Sequence, residues 1–302
     1  MRDIIYYYYN LKIDKISNKN NNYYFYYGGY IYGLLLYDND IKILNNIYNL
    51  SQYIGHYKMH NIIKNNKNSI ITMIDNRAYI LIKFNNYKKY DINIQDIDFM
   101  GKIRFNLDKE LIRERWNVLW ERKIDYLEYQ IKQIGLKYPE LVDSFSYFVG
   151  MAENAISYYK NTLIDYKDNV NNNSYVIAHD KITVSTDYFY NPVNFIIDHK
   201  SRDLGEYIKL SFYNKNYNIF KELDSYFRKN YYTEYDMRLL IARIMYPSSY
   251  FNIYDNIIKG ELKEKNISYV VDNICEYEKY LGDIFKYLEN YYKIPSIEWL
   301  KK

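Results

Sequence analysis

The residues able to do acid–base or metal chemistry concentrate in one stretch of this chain. Val176-Ile177-Ala178-His179-Asp180-Lys181-Ile182 is an apolar strand running into a histidine-containing turn. Phe195-Ile196-Ile197-Asp198-His199 is a second apolar strand ending on an acid, and Ser201-Arg202-Asp203-Leu204 reads as the start of a helix, where the macrodipole favours an Asp. Elsewhere the candidates are thinner. His56 and His60 stand four apart, as two ligands on one helix face would, but no third ligand is near in sequence and surface histidines are expected. Asp91-Ile92-Asn93-Ile94-Gln95-Asp96-Ile97-Asp98 lacks the glycine and closing Glu of a calcium loop and is expected to be a connector. Cys275, the single cysteine, excludes an internal disulfide framework and lies in a helix-like stretch, where a packed or idle thiol is expected.

The order strand, His turn, strand, Asp, helix resembles the catalytic core of aminoglycoside-phosphotransferase-like kinases, which carry His-Gly-Asp, a loop Asn and a metal-binding Asp. Four segments narrow the resemblance. They are Leu119-Trp120-Glu121-Arg122-Lys123-Ile124-Asp125-Tyr126-Leu127-Glu128, Gly150-Met151-Ala152-Glu153-Asn154-Ala155-Ile156, Asp198-His199-Lys200-Ser201-Arg202-Asp203-Leu204-Gly205-Glu206-Tyr207-Ile208 and Ala242-Arg243-Ile244-Met245-Tyr246-Pro247. With these the chain resembles the spore-coat kinase-like family of the CotS/YutH type, over roughly residues 34–300. The resemblance implies an α+β, bilobal protein-kinase-like fold, with a small antiparallel-sheet lobe and a mainly helical lobe. His179 and Asp198 would then share one cleft between the lobes.

Phosphoryl transfer needs a proton-accepting Asp at the acceptor hydroxyl, two metal ligands, a Lys on the phosphates and a backbone cradle over them. In the register that the resemblance implies, His179 takes the His place as an orienting group. Lys181 stands where the catalytic Asp belongs, and Asp180 is one residue early. The metal-binding loop Asn falls near Thr186, with Asn191 and Asn194 closer to Asp198. Asp198 matches the metal-binding Asp; it reads equally as a metal ligand or as a buried hydrogen-bonded acid. Arg202 and Asp203 are expected to be structural, as an ion pair or a helix start. The strand that should carry the phosphate Lys, Tyr30 to Tyr37, has none, and Lys42 follows a turn. Gly28-Gly29 would cover a nucleotide or simply turn a hairpin.

The expectation is therefore a catalytically degenerate kinase fold acting as a structural or scaffold component of the spore coat, needing no cofactor. The alternative is an active or nucleotide-sensing small-molecule phosphotransferase using ATP and Mg, with His179 and Asp180 as catalytic candidates. The resemblance also implies synthesis in the cytoplasm of the sporulating mother cell, incorporation into the coat, and other coat proteins as partners.

Hydrophobic pattern and turn residues supply the elements. Residues 4–82 read as mainly strands, with hairpins at Gly28-Gly29 and Asp75-Asn76 and a helix from Ile41 to Tyr57. A long helix capped by Asn106 or Asp108 should run to Ile134, with a second over Pro139 to Tyr166. The small lobe is expected at 1–84, a connector at 85–98, and the helical lobe at 99–302.

Composition narrows the classes further. The 41 basic and 37 acidic residues leave +4, too little and too scattered for a nucleic-acid partner. No basic-then-apolar leader opens the chain, and no apolar run is long enough for membrane insertion. Tyrosine is in excess, 43 against 13 Phe. Codon bias raises both alike, so the surplus of a ring with a polar tip is expected to lie partly on the surface, within Tyr6 to Tyr37 and Tyr287 to Tyr292.

Overall fold

The computed structural model describes residues 1–38, 41–54, 58–85, 91–103, 112–167 and 174–300, without the side chains at 42, 53 and 187. His56, Asn106 and Asp108 lie outside the described residues. The chain divides into two compact units: 1–112 with 176–198, and 113–175 with 199–302.

The first unit opens with α1 (Arg2–Tyr9), β1 (Ile16–Lys19), β2 (Asn22–Tyr27), β3 (Tyr30–Leu36), α2 (Ile41–Ile54), β4 (Asn61–Ile63), β5 (Thr72–Ile74), β6 (Arg77–Phe84) and α3 (Ile94–Lys102). The strands form one antiparallel sheet in the order β1-β2-β3-β6-β4, with β5 also on β6. Both expected hairpins form. Gly28 and Gly29 have φ of 55° and 83°, Asp75 and Asn76 of 49° and 61°. Paired positive φ values give the turn twist that two-residue hairpins need, and Asp-Asn is among the few glycine-free pairs that tolerate it.

One expectation fails at the start. Residues 4–9 are helical, closed by Asn10 in the left-handed region at φ 55°. The Tyr run favours a strand by propensity, but packing decides. Ile5 is buried against Phe25, Tyr32, Leu34, Tyr79 and Leu81 on one sheet face, and the helix covers that face. Tyr6, Tyr7 and Tyr26 are exposed as expected, whereas Tyr32 and Tyr37 are buried.

The chain continues through α4 (Trp116–Ile134), α5 (Pro139–Asp165), β7 (Tyr175–His179), α6 (Thr186–Phe189), β8 (Phe195–His199), α7 (Ser201–Tyr213), α8 (Ile219–Phe227), α9 (Glu234–Met245), α10 (Ser248–Ile258), α11 (Ser268–Val271) and α12 (Ile274–Glu289). Helix α4 starts at Trp116, where its apolar periodicity begins and later than a cap at Asn106 or Asp108 would set it; Arg113 to Arg115 are non-helical. In the second unit α9 packs against both α5 and α7. It is buried on every side from Tyr235 to Met245, as a helix at the centre of a bundle must be.

Candidate functional site

Strands β7 and β8 pair into a two-stranded sheet. The Asp180 N–H donates to Asn194 O at 2.8 Å, and the Lys200 N–H to Ser174 O at 2.9 Å, so the pairing is antiparallel. That register sets His179 opposite Phe195 and Asp198 opposite Val176. Side chains alternate along a strand, so His179 and Asp198 occupy opposite faces and opposite ends of the hairpin.

His179 is buried, with Nε2 2.8 Å from Phe189 O. Its ring stacks on Phe189 at 4.0 Å and meets Phe195 edge-on at 5.4 Å. Asp180 and Lys181 are exposed, and Asp198 is buried. Asn191 caps a short turn by accepting from the Val193 N–H, and Asn194 Nδ2 donates to Tyr188 O. Thr186 is buried. Arg202 and Asp203 are both buried in the first turn of α7. His60, expected at the surface, is wholly buried instead: Nδ1 accepts from the Asn85 N–H and its ring meets Phe84 at 4.9 Å. Cys275 is exposed on α12. Among the described residues no group of three or more His, Cys, Asp or Glu is arranged to hold a metal ion.

The span expected as a connector is, in its described part, a capped helix. Asn93 and Asp96 form a reciprocal capping box at the start of α3. Asp96 also accepts from the Tyr190 hydroxyl at 2.6 Å and pairs with Lys58 at 3.3 Å. Together with the Ile92 N–H on Val184 O, these contacts pin the loop between β7 and β8.

In the second unit a denser polar centre follows directly on Asp198. Asp236, buried at the start of α9, accepts four hydrogen bonds. Oδ1 takes His199 Nε2 at 2.9 Å and Ser174 Oγ at 3.2 Å; Oδ2 takes Lys200 Nζ at 2.8 Å and the Thr233 N–H at 2.9 Å. The Ser201 N–H donates to His199 Nδ1, which leaves the His199 proton on Nε2, facing the carboxylate. These donors outweigh burial and hold the Asp236 carboxyl far below the usual range.

A second buried cluster joins α7 and α9. Glu206 Oε1 accepts from Lys209 Nζ at 2.8 Å and Arg243 Nε at 2.7 Å, while Oε2 takes the Ser248 hydroxyl. Burial works against the Glu206 charge, but the Lys209 and Arg243 cations overcome it and hold the carboxyl at about 2. Burial lowers Lys209 to about 8 against the pull of Glu206. Arg243 lies over Trp116 and Trp120, and Trp120 stacks on Tyr246 at 4.4 Å. Glu206, Arg243, Tyr246 and Trp120 belong to three of the four segments that carried the resemblance, and those segments meet in the core of this unit.

The comparisons agree with that core. Residues 2–291 match the model of the family described as "Spore coat putative kinase YutH". The chain belongs to the YutH spore-coat family. It is 27% identical over 211 residues to the endospore coat-associated protein YutH of Bacillus subtilis strain 168, covering 62% of each chain; the match spans about three fifths of that relative. Among solved structures it is similar to an aminoglycoside phosphotransferase from Alicyclobacillus acidocaldarius, with a TM-score of 0.62 and 11% identity over 93% of this chain and 94% of the other. Spectinomycin phosphotransferase gives a TM-score of 0.59 at 12% identity over 94% and 93%. At such identities the likeness shows the fold alone: an α+β, kinase-like fold with an antiparallel sheet and a helical region.

Proposed function

We propose that this member of the YutH family is a catalytically degenerate kinase fold serving as a structural component of the endospore coat. Its relative's coat association supports that location, and other coat proteins are then its partners. The observation that carries the reading is Lys181, an exposed cation where the fold's catalytic Asp is expected. An ammonium group cannot accept the proton of an incoming hydroxyl. Its surroundings agree: β3 has no lysine and α2 no acid, so neither half of a kinase's Lys–Glu pair is present there. The residues present at these positions do not fit a magnesium–nucleotide group. In this reading the fold has kept its buried ion networks, which hold the helices, and has let the reacting groups go.

Titration with millimolar Mg-ATP tests this reading. A ligand bound only by the folded state adds about 2.7 kcal/mol at a hundredfold excess over Kd, worth several degrees of melting midpoint. The expected result is no shift and no ATP consumption. A rise in midpoint that vanishes in Asp198→Ala would establish a nucleotide sensor instead. Turnover abolished by Asp180→Ala or Asp198→Ala would establish a phosphotransferase.

A further inference from the structure

A cleft of about 460 Å³ opens in the second unit between the turn after α7 and the start of α12. Its volume is that of a small-molecule site, and aromatic rings dominate its lining. Tyr269 is 54% exposed and stacks on Tyr213 at 5.3 Å, which stacks in turn on the buried Tyr277 at 5.9 Å. Tyr217, also lining the cleft, is 88% exposed.

The turn that presents Tyr217 is held in shape. Lys215 has φ 54°, in the region where a helix usually ends on glycine. Its N–H donates to Phe212 O and that of Asn216 to Ser211 O. The Asn216 amide is clamped on both sides, giving to Glu222 Oε2 at 3.0 Å and accepting from the Asn218 N–H at 3.0 Å. Tyr217 is thus an open aromatic ring beside a braced turn, sharing a cleft with the open face of a tyrosine stack. The braced backbone fixes where the Tyr217 ring is presented, which lowers the cost of ordering it on binding.

The polar groups narrow the ligand. Lys215, Glu276 and Asn273 also line the cleft, one cation, one anion and one amide. A quaternary ammonium would meet Lys215 and a phosphate would meet Glu276, so no ion is favoured. Flat apolar faces with hydroxyls around the edge fit both the rings and the mixed polar groups. We propose that this cleft binds a neutral oligosaccharide, with sugar faces on Tyr217 and Tyr269 and hydroxyls held by Asn273, Glu276 and Lys215. The proposal is independent of whether nucleotide binds.

Calorimetric titration of the purified protein with maltotriose, cellotriose and N,N′,N″-triacetylchitotriose tests it. At least one trisaccharide should bind with a Kd of about 1 mM or tighter, and Tyr217→Ala and Tyr269→Ala should each weaken it about tenfold. Tyr217→Ala should leave the melting midpoint unchanged, since so exposed a ring supports little of the fold; it therefore remains informative if Tyr269→Ala unfolds. Saturation by none of the three sugars, binding that survives Tyr217→Ala, or binding of tetramethylammonium in place of sugar would overturn the proposal.

Discussion

His199 Nε2 donates to Asp236 Oδ1 at 2.9 Å, with both side chains buried, and the same carboxylate caps α9 through Thr233. One acid therefore ties the end of β8 to the start of the central helix. Removing a buried carboxylate leaves its donors unpaired, at a cost of about 1–3 kcal/mol for each group.

Asp236→Asn is expected to lower the urea midpoint at pH 7 by about that amount divided by m. The pH dependence follows from the depressed Asp236 pKa. The unfolded carboxyl, ordinarily near 3.8, takes up a proton before the folded one does. The contribution is therefore complete above that value and is lost as pH falls through and below it. The native protein should weaken below about pH 4, and Asp236→Asn should show a flatter acid limb. An unchanged midpoint at pH 7 would sink the assignment.

At the alkaline end the sign reverses. Burial raises Tyr232 and Tyr277 well above the ordinary 10, and pushes Tyr9 and Tyr250 up to about 12. Unfolded phenols ionise first, so the stability these groups supply is present below pH 10 and lost as pH rises beyond it. Absorbance at the phenolate band should rise in two phases. The later phase belongs to the buried set and should coincide with loss of helical circular dichroism. A single smooth phase with the fold intact would contradict it.

Two glycines should respond oppositely to Ala. At Gly205 in α7 an added methyl would stand 2.7 Å from Arg243 Cγ and 3.0 Å from its Cβ, whereas at Gly150 in α5 nothing lies within 4 Å. Gly150→Ala should stabilise by about 0.5–1 kcal/mol through helix propensity. Gly205→Ala should destabilise by about 1–3 kcal/mol, because Arg243 is held in place by Glu206 and the tryptophans. Urea unfolding of both variants decides it.

The hairpins were legible because their turn residues, Gly28-Gly29 and Asp75-Asn76, state a backbone conformation that few others adopt. α5 was legible because its apolar spacing runs unbroken from Pro139. α1 was not, since a tyrosine run has strand propensity and the contact that overrides it, Ile5 on the sheet, spans distant sequence. Asp96 had a local signal, Asn93-x-x-Asp96 as a capping box, that its acidic surroundings masked. Asp236 carried the same signal with Thr233, but nothing near it points to His199, 37 positions earlier. The face on which each β8 side chain lies follows from the pairing with β7, which composition does not encode.

The first unit is assembled from two stretches of chain, 1–112 and 176–198, with part of the second unit between them. During synthesis its sheet emerges early, yet β8 and its hairpin contacts arrive only after residues 113–175 have been made. At about 5–20 residues per second that stretch takes roughly 3 to 13 seconds, during which the sheet-bearing segment waits incomplete on the ribosome. A nascent chain of this protein is therefore most exposed to chaperones and proteases in that interval, and synonymous codons that slow translation between positions 113 and 175 would lengthen it.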